Sequence, residues 1–345
     1  MSDVNRHRPL RPETEADRAA ARPRPASPAP GATPGLGWAT LGVLAFSFTF
    51  PATALAERAF DPLVVGAGRS VISALIAAVT LRVSGAPIPD RRHWPGLIAV
   101  ALGCGIGFGV LSALALHHTS SSHGAVVIGL LPAATAVVAV LRVGDRPGPV
   151  FWAASLIGTA VVTGYALSRG AGTLHAADLL LLASVVVAAV GYAEGGRLAR
   201  ELPGWQVIAW GLLIALPVAV PLTLIGALRA PGPAVTAPAL LGFAYIGTVS
   251  TFYGFFAWYR GLAEAGVARA SQIQLAQPLL TIVWSVPLLG ESLDPIALVA
   301  AIVVAGCVLV TQRARGRTAG LSPAETAIVA DAESEPASAT GLVHR

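Results

Sequence analysis

Ser271, Gln274, Pro278 and Thr281 fall three or four positions apart in an otherwise apolar run, so a helix gathers them on one face. Gln277 lies beside them. An amide turned toward lipid loses its water partners at a cost of roughly a few kcal/mol. The stripe is therefore expected to face a cavity, where Gln274 and Gln277 contact a substrate, or to hydrogen bond a neighbouring helix. Arg69 and Glu194 also interrupt apolar runs. Intramembrane ions point to an ionic substrate contact or a coupling ion, and a carboxylate at Glu194 could exchange a proton. Snorkelling to an edge is the structural alternative for both. Tyr192, Tyr253, Phe46 and Phe50 are the aromatics expected to line a pocket. Tyr245, Phe252, Phe256 and Tyr259 share a helical face by spacing, and Trp258 and Tyr259, near the end of their run, suit an interfacial belt.

Other chemistries fit less well. His117, His118 and His123 surround Thr119 to Ser122 and could be taken for a metal or nucleophile site. No carboxylate stands at ligand spacing, and neither G-x-S-x-G nor H-E-x-x-H occurs. The chain is not expected to be an enzyme, and no metal or cofactor is implied. Cys104 and Cys307 lie within apolar runs and act as small hydrophobes. All 23 basic residues are arginine, but they lie between apolar runs and in the tails, not in a basic face interleaved with aromatics, which argues against nucleic acid.

The elements that must position these residues are membrane helices. The 345-residue chain is 54% hydrophobic and 12% charged, with a mean hydropathy of +0.69, whereas soluble domains carry about a quarter charged residues. A helix crosses the roughly 30 Å hydrocarbon core in about 20 residues. Stretches of that kind run over 37–56, 63–82, 95–116, 121–142, 148–168, 177–198, 205–228, 236–258, 269–290 and 293–313. They lack the alternation of a barrel, so helices are expected. Residues 1–35 and 314–345 are polar and are expected as disordered cytoplasmic tails. Ala54-Leu55-Ala56 resembles a signal-peptidase site, but the long preceding segment and the many spans that follow favour an uncleaved helix.

A cassette recurs at one constant offset. Pro132, Thr135, Val137, Val140, Gly144, Asp145, Pro149 and Ala154 are answered by Pro278, Thr281, Val283, Val286, Gly290, Glu291, Pro295 and Ala300. The predicted fold is all-α and polytopic, with ten transmembrane helices in two five-helix repeats, 37–168 and 177–313. Five is odd, so the repeats are inverted, as in secondary transporters. Cytoplasmic loops are rich in arginine; with both termini inside, the outer loops hold only Arg58, Arg169 and Arg229. Asp145 then lies inside and Glu291 outside, where they turn and cap helices or gate opposite faces, while Pro132 and Pro278 break helices and free the carbonyls of Ile128 and Gln274.

The stretch from Ala113-Leu114 through Thr119 to Ser122 and Pro132, ending in Gly144-Asp145-Arg146-Pro147, resembles the first EamA domain of the drug/metabolite transporter superfamily. Gly261-Leu262 through Gln277-Pro278 to Leu289-Gly290-Glu291-Ser292 resembles the second, and Asp61-Pro62 followed by Arg69 resembles the family's second helix. The resemblance covers about 37–313. It implies a transporter in the cytoplasmic membrane that moves a small molecule, commonly exporting amino acids or related compounds by alternating access, as a monomer or homodimer and with proton coupling as one option. Asp145 stands where glutamate is common in the family, which shortens its reach. A non-transporting sensor or scaffold is the alternative function.

Overall fold

The computed structural model of the chain describes residues 32–143, 149–169, 175–229, 235–265 and 273–319. Asp145, Ser271 and most of the expected tails lie outside them. The helices are α1 (Ala32–Ser47 and Thr49–Ala56, parted at Phe48), α2 (Pro62–Val83), α3 (Arg91–Leu116), α4 (Ser121–Ile128 and Leu131–Val143) and α5 (Pro149–Arg169). They continue as α6 (Ala176–Leu198), α7 (Gly204–Arg229), α8 (Ala237–Glu264), α9 (Gln277–Leu289) and α10 (Pro295–Ala319). Thus α1 and α10 extend into the stretches expected as tails.

By length and composition, α1, α2, α3, α6, α7 and α8 can each cross a membrane; the apolar stretches of α4, α5, α9 and α10 are shorter. Among the described residues there is no strand. Large apolar side chains point outward, with Leu75 63%, Val79 64% and Leu228 86% exposed, as expected where lipid replaces water.

Local chemistry fixes the ends. Asp61 Oδ1 accepts from Leu63 N at 2.8 Å with Pro62 in the first turn of α2, and Ser120 Oγ accepts from His123 N at 3.1 Å at the start of α4. Asp294 Oδ1 does the same for Ile296 N at 3.0 Å before α10. Gly290 ends α9 in the left-handed conformation, φ 73°, which a glycine adopts without steric cost.

The cassette reappears as geometry. Turns at 129–130 and 275–276 interrupt the apolar runs at equivalent places. Pro132 and Pro278 each become the second residue of a new helix, where a missing N–H costs nothing. They stand just after breaks between helical segments, not at kinks within continuous helices. π-helical turns at Ala101–Gly107 in α3 and Ile246–Gly254 in α8 form a second related pair. Packing follows the same plan: α2 lies on α7, α4 on α9 and α5 on α10, while α1 on α8 answers α6 on α3.

Glycines set the approach of α3. A Cβ at Gly103 would meet Gly191 N of α6 at 2.9 Å, and one at Gly105 would meet Ala215 Cβ of α7 at 3.2 Å. At the α2–α3 crossing, a Cβ on Gly66 would lie 2.7 Å from Gly109 O and Val110 Cα. From α2, Ser70 Oγ donates to Gly105 O and Ser73 Oγ to Gly247 O, so one helix satisfies carbonyls in both π-helical turns.

Loop contacts sort into two ends. Arg92 and His93 meet Glu201, which also faces Arg197. The opposite end holds Glu57 beside His117, His123 Nε2 on Asp178 Oδ1 at 2.7 Å, and Tyr165 OH donating to Asp294 Oδ2 at 3.4 Å. The histidines singled out in the sequence therefore divide between structural pairs, and among the described residues no group of three metal-ligating side chains converges. In the turn after α1, burial and then the charge of Asp61 push the Glu57 carboxyl up to about 8.

Three variants test this packing and this charge. Gly66→Ala is expected to destabilise the protein by about 1–3 kcal/mol, read as a thermal midpoint several degrees lower in detergent. Gly306→Ala, whose Cβ meets nothing within 4 Å, is expected to hold or raise the midpoint. The raised Glu57 carboxyl binds its proton more tightly in the folded state, so its contribution is fully present below about 4.5 and is lost as pH rises through about 8. Comparing midpoints at pH 6 and pH 9, Glu57→Gln is expected to lose less stability than the parent; an equal loss would refute the assignment.

Candidate functional site

The break at Phe48 turns α1 so that Phe46 and Thr49, on either side of it, face the centre of the bundle. Thr281 Oγ1 donates to Ser47 O at 2.8 Å and Trp284 Nε1 donates to Ser47 Oγ at 3.1 Å, so α9 satisfies the backbone at this break. The Phe48 ring stacks on Trp284 with centroids 4.6 Å apart.

A narrow central cavity of about 20 Å³ opens there. Its walls are Phe46 and Thr49 of α1, Arg69 of α2, Cys104 and Phe108 of α3, Leu131 of α4, Ala188 and Tyr192 of α6, Ser250 and Phe255 of α8, and Gln277 of α9. An adjoining cavity of about 10 Å³ shares Phe46, Thr49, Phe108 and Gln277 and adds Phe50, Pro278 and Thr281. A third, also of about 10 Å³, lies between the two breaks and is lined by Gly129, Pro132, Gln274, Gln277 and Pro278 among others. Gln277 borders all three.

The apolar wall is aromatic. Phe46 and Phe255 meet edge-on at 5.0 Å, and Tyr192 meets Phe255 at 5.6 Å with an interplanar angle of 85°. The polar wall is sparse. Thr49 Oγ1 and Ser250 Oγ share a hydrogen bond of 2.7 Å. Gln274 is buried, and its Nε2 has no partner among the described residues. Arg69 is 2% exposed, and its Cζ lies 5.7 Å from the Phe108 centroid. Its Nε is buried without an acceptor among the described residues.

Of the side chains singled out in the sequence, Gln274, Gln277, Tyr192, Phe46, Phe50, Thr281, Arg69, Pro132 and Pro278 all border this group of cavities. The Thr281 hydroxyl has two acceptors in reach, Ser47 O at 2.8 Å and Gln277 O at 3.0 Å, so it ties α9 to α1. Others go elsewhere. Tyr253 is 55% exposed and packs edge-on against Phe252. It lies in the π-helical turn of α8, and its depth in the run does not show which way it points. Trp258 and Tyr259 are almost fully buried, at 1% and 0% exposure, and form no interfacial belt. Glu194 is buried but accepts from Arg197 Nε at 3.0 Å and borders none of the three cavities. Asp145 and Ser271 lie outside the described residues. Sequence reasoning missed Thr49, Cys104, Phe108, Ser250 and Phe255. For Cys104 and Ser250 the glycines at 103–109, 247 and 254 were an available signal, since they fall in or beside the π-helical turns that hold these two residues.

Glu291 does not cap the helix that follows it. Its Oε1 accepts from Ser121 N at 2.8 Å, and its Oε2 accepts from Ser122 N at 3.1 Å and Ser122 Oγ at 2.5 Å. The carboxylate thus closes on the N-terminus of α4, where the helix dipole favours negative charge.

The profile of the EamA-like transporter family matches this chain twice, over residues 33–167 and 175–312. The uncharacterized transporter YdeK of Bacillus subtilis (strain 168) is 43% identical over 279 residues, covering 80% of this chain and 97% of that protein. A probable terminal-alkyne amino-acid exporter of Streptantibioticus cattleyicolor is 28% identical over 296 residues, covering 81% of this chain and 94% of that protein. A solved protein structure, 20% identical, superposes with a TM-score of 0.59 over 83% of this chain and 99% of that one, which shows a shared fold. With two matched domains, a relative aligned over nearly its whole length and helices suited to lipid, the chain belongs to the EamA-like transporter family and is a multi-pass membrane transporter.

Proposed function

We propose that this transporter exports a small amphipathic metabolite, an amino-acid-like compound or a drug, by alternating access of the central cavity to the two membrane faces. Its helices form two inverted repeats of five spans, 37–168 and 177–313, with both termini in the cytoplasm. The observation that carries this reading is the position of the cavities: they lie where the related breaks of α4 and α9 meet. Transporters of this architecture bind cargo at broken helices near the midplane.

Other features support it. The exchange of α1–α8 for α3–α6 packing is what a pseudo-twofold axis produces. Arginine placement puts Arg92 and Arg197 inside and Glu57 and Glu291 outside. An aromatic wall with few polar groups suits a compact cargo with an apolar side chain, for which the cavity has to widen. The relative from Streptantibioticus cattleyicolor is named as an exporter of such an amino acid.

Glu291 on the N-terminus of α4 is the gate of the outer mouth in this reading. Gln277 is the principal neutral hydrogen-bonding contact for cargo.

Counterflow in proteoliposomes across a panel of amino acids, amines and sugars, with and without a pH gradient, tests the reading and separates proton coupling from uniport. Exchange no faster than in empty liposomes for every compound would remove it. For a confirmed cargo, Gln277→Ala is expected to raise KM by about two- to tenfold, the equivalent of one hydrogen bond. Cys104 borders the cavity and reports on access. In a Cys307→Ala background, Glu291→Gln is expected to speed its labelling by an impermeant thiol reagent from outside by severalfold, and an unchanged rate would argue against the outer gate.

A further inference from the structure

We infer that the central cavity recognises its cargo by a carboxylate held on the Arg69 guanidinium, and that the cargo needs no positive charge of its own. The inference rests on the transport reading for the purpose of the cavity, but it is a statement about recognition and is tested by binding.

Arg69 borders the largest of the three cavities and makes no hydrogen bond or ion pair among the described residues. A guanidinium stays protonated, and an uncompensated buried charge is strongly unfavourable. The nearby acids are engaged elsewhere. Glu194 holds Arg197, Asp61 caps α2 through Leu63 N, and Glu57 lies in the turn after α1. No carboxylate borders any of the three cavities. The phenyl face of Phe108 and the bare Gly109, where a Cβ would press on Arg69 Cδ at 3.3 Å, shape the path of the side chain without neutralising it.

A second observation points to the same charge. The later segments of α4 and α9, each 13 residues long, begin at Leu131 and Gln277, and both residues border this cavity. Helix N-termini carry partial positive charge and unpaired N–H groups. One full cation and two helix N-termini therefore face a space with no acidic side chain. A single carboxylate matches the fork of the guanidinium. A dianion exceeds the one cation present, and an amine is repelled. The ammonium of a zwitterion meets no acid, only ring faces, the mutually bonded Thr49 and Ser250 hydroxyls and the neutral amide of Gln277, so it is not required. The rings of Phe46, Tyr192 and Phe255 receive the apolar body.

The test uses the purified full-length chain in detergent with size-matched probes: N-acetylphenylalanine, its neutral amide and phenethylamine. Calorimetry or ligand-induced thermal shift is expected to show the acid binding at least about tenfold more tightly than the amide, with phenethylamine the weakest. Arg69→Gln is expected to erase the preference for acid over amide, and Arg69→Lys to keep part of it, since it retains the charge without the fork. Equal binding of acid and amide, binding of neither, or a preference that survives Arg69→Gln overturns the inference. If Arg69→Gln fails to fold, the parent probe pair and Arg69→Lys decide it: full retention by lysine, or no acid preference in the parent, overturns it. Counterflow with the same probes separates the two claims. An acid that binds through Arg69 but does not exchange leaves recognition standing and removes the transport reading; exchange without acid preference does the reverse.

Discussion

Lipid offers no hydrogen bonds to an interrupted helix, yet this chain interrupts or loosens its helices in α1, α3, α4, α8 and α9. Each irregularity has to be answered by a neighbour, and the answers determine how the bundle is assembled. Ser70 and Ser73 of α2 reach carbonyls in the π-helical turns of α3 and α8. Thr281 of α9 reaches the carbonyl before the α1 break. An unanswered buried polar group costs about 1–3 kcal/mol, so these contacts fix which helix lies beside which.

The same contacts place the chemistry. Arg69 immediately precedes Ser70, whose bond to α3 locks the register of α2 at that point. Thr49 and Ser250, bonded to each other, come from the α1 break and the α8 π-helical turn. Gln277 opens the helix that follows the α9 break. The cavity is thus the space that irregular helices leave when their backbones have been satisfied from outside it. Its polar groups are few because most of the hydroxyls nearby are already used.

Much of this was legible in the sequence, and the parts that were not share a cause. Apolar length and arginine placement marked the spans, and proline, glycine and acid spacing marked the repeated breaks, because these residue types have backbone consequences independent of their surroundings. Gln274, Gln277, Phe46 and Phe50 were found because a polar stripe and an aromatic cluster are anomalies within lipid-facing sequence. Tyr253 was singled out by its depth in the run, and Trp258 and Tyr259 by their place near its end, and position along a run does not show which way a side chain points. For Glu291 the sequence suggested a turn and cap but not its partners: Ser121 and Ser122 lie about 170 residues earlier, and local spacing carries no trace of so distant a pairing. The Thr49–Ser250 pair was invisible for the same reason.

The two kinds of contact also differ in how easily they come apart. The crossing of α2 on α3 at Gly66 and Gly109 and the approach of α3 to α6 at Gly103 are backbone-close and dry. Such close packing resists sliding, since separation forfeits dispersion contacts over the whole surface. The closure of Glu291 on Ser121 and Ser122 is instead a charged contact at a helix terminus in a half-exposed loop. Interactions of that class are worth about 0.3–1 kcal/mol when exposed and about 2 kcal/mol in partly buried geometry, and water can replace them when the mouth opens. A transporter needs its two states to lie within a few kcal/mol of each other. Under the alternating access proposed above, the tight glycine contacts would keep α2, α3 and α6 together as one body, and the ionic contacts at its rim would be the ones that give way.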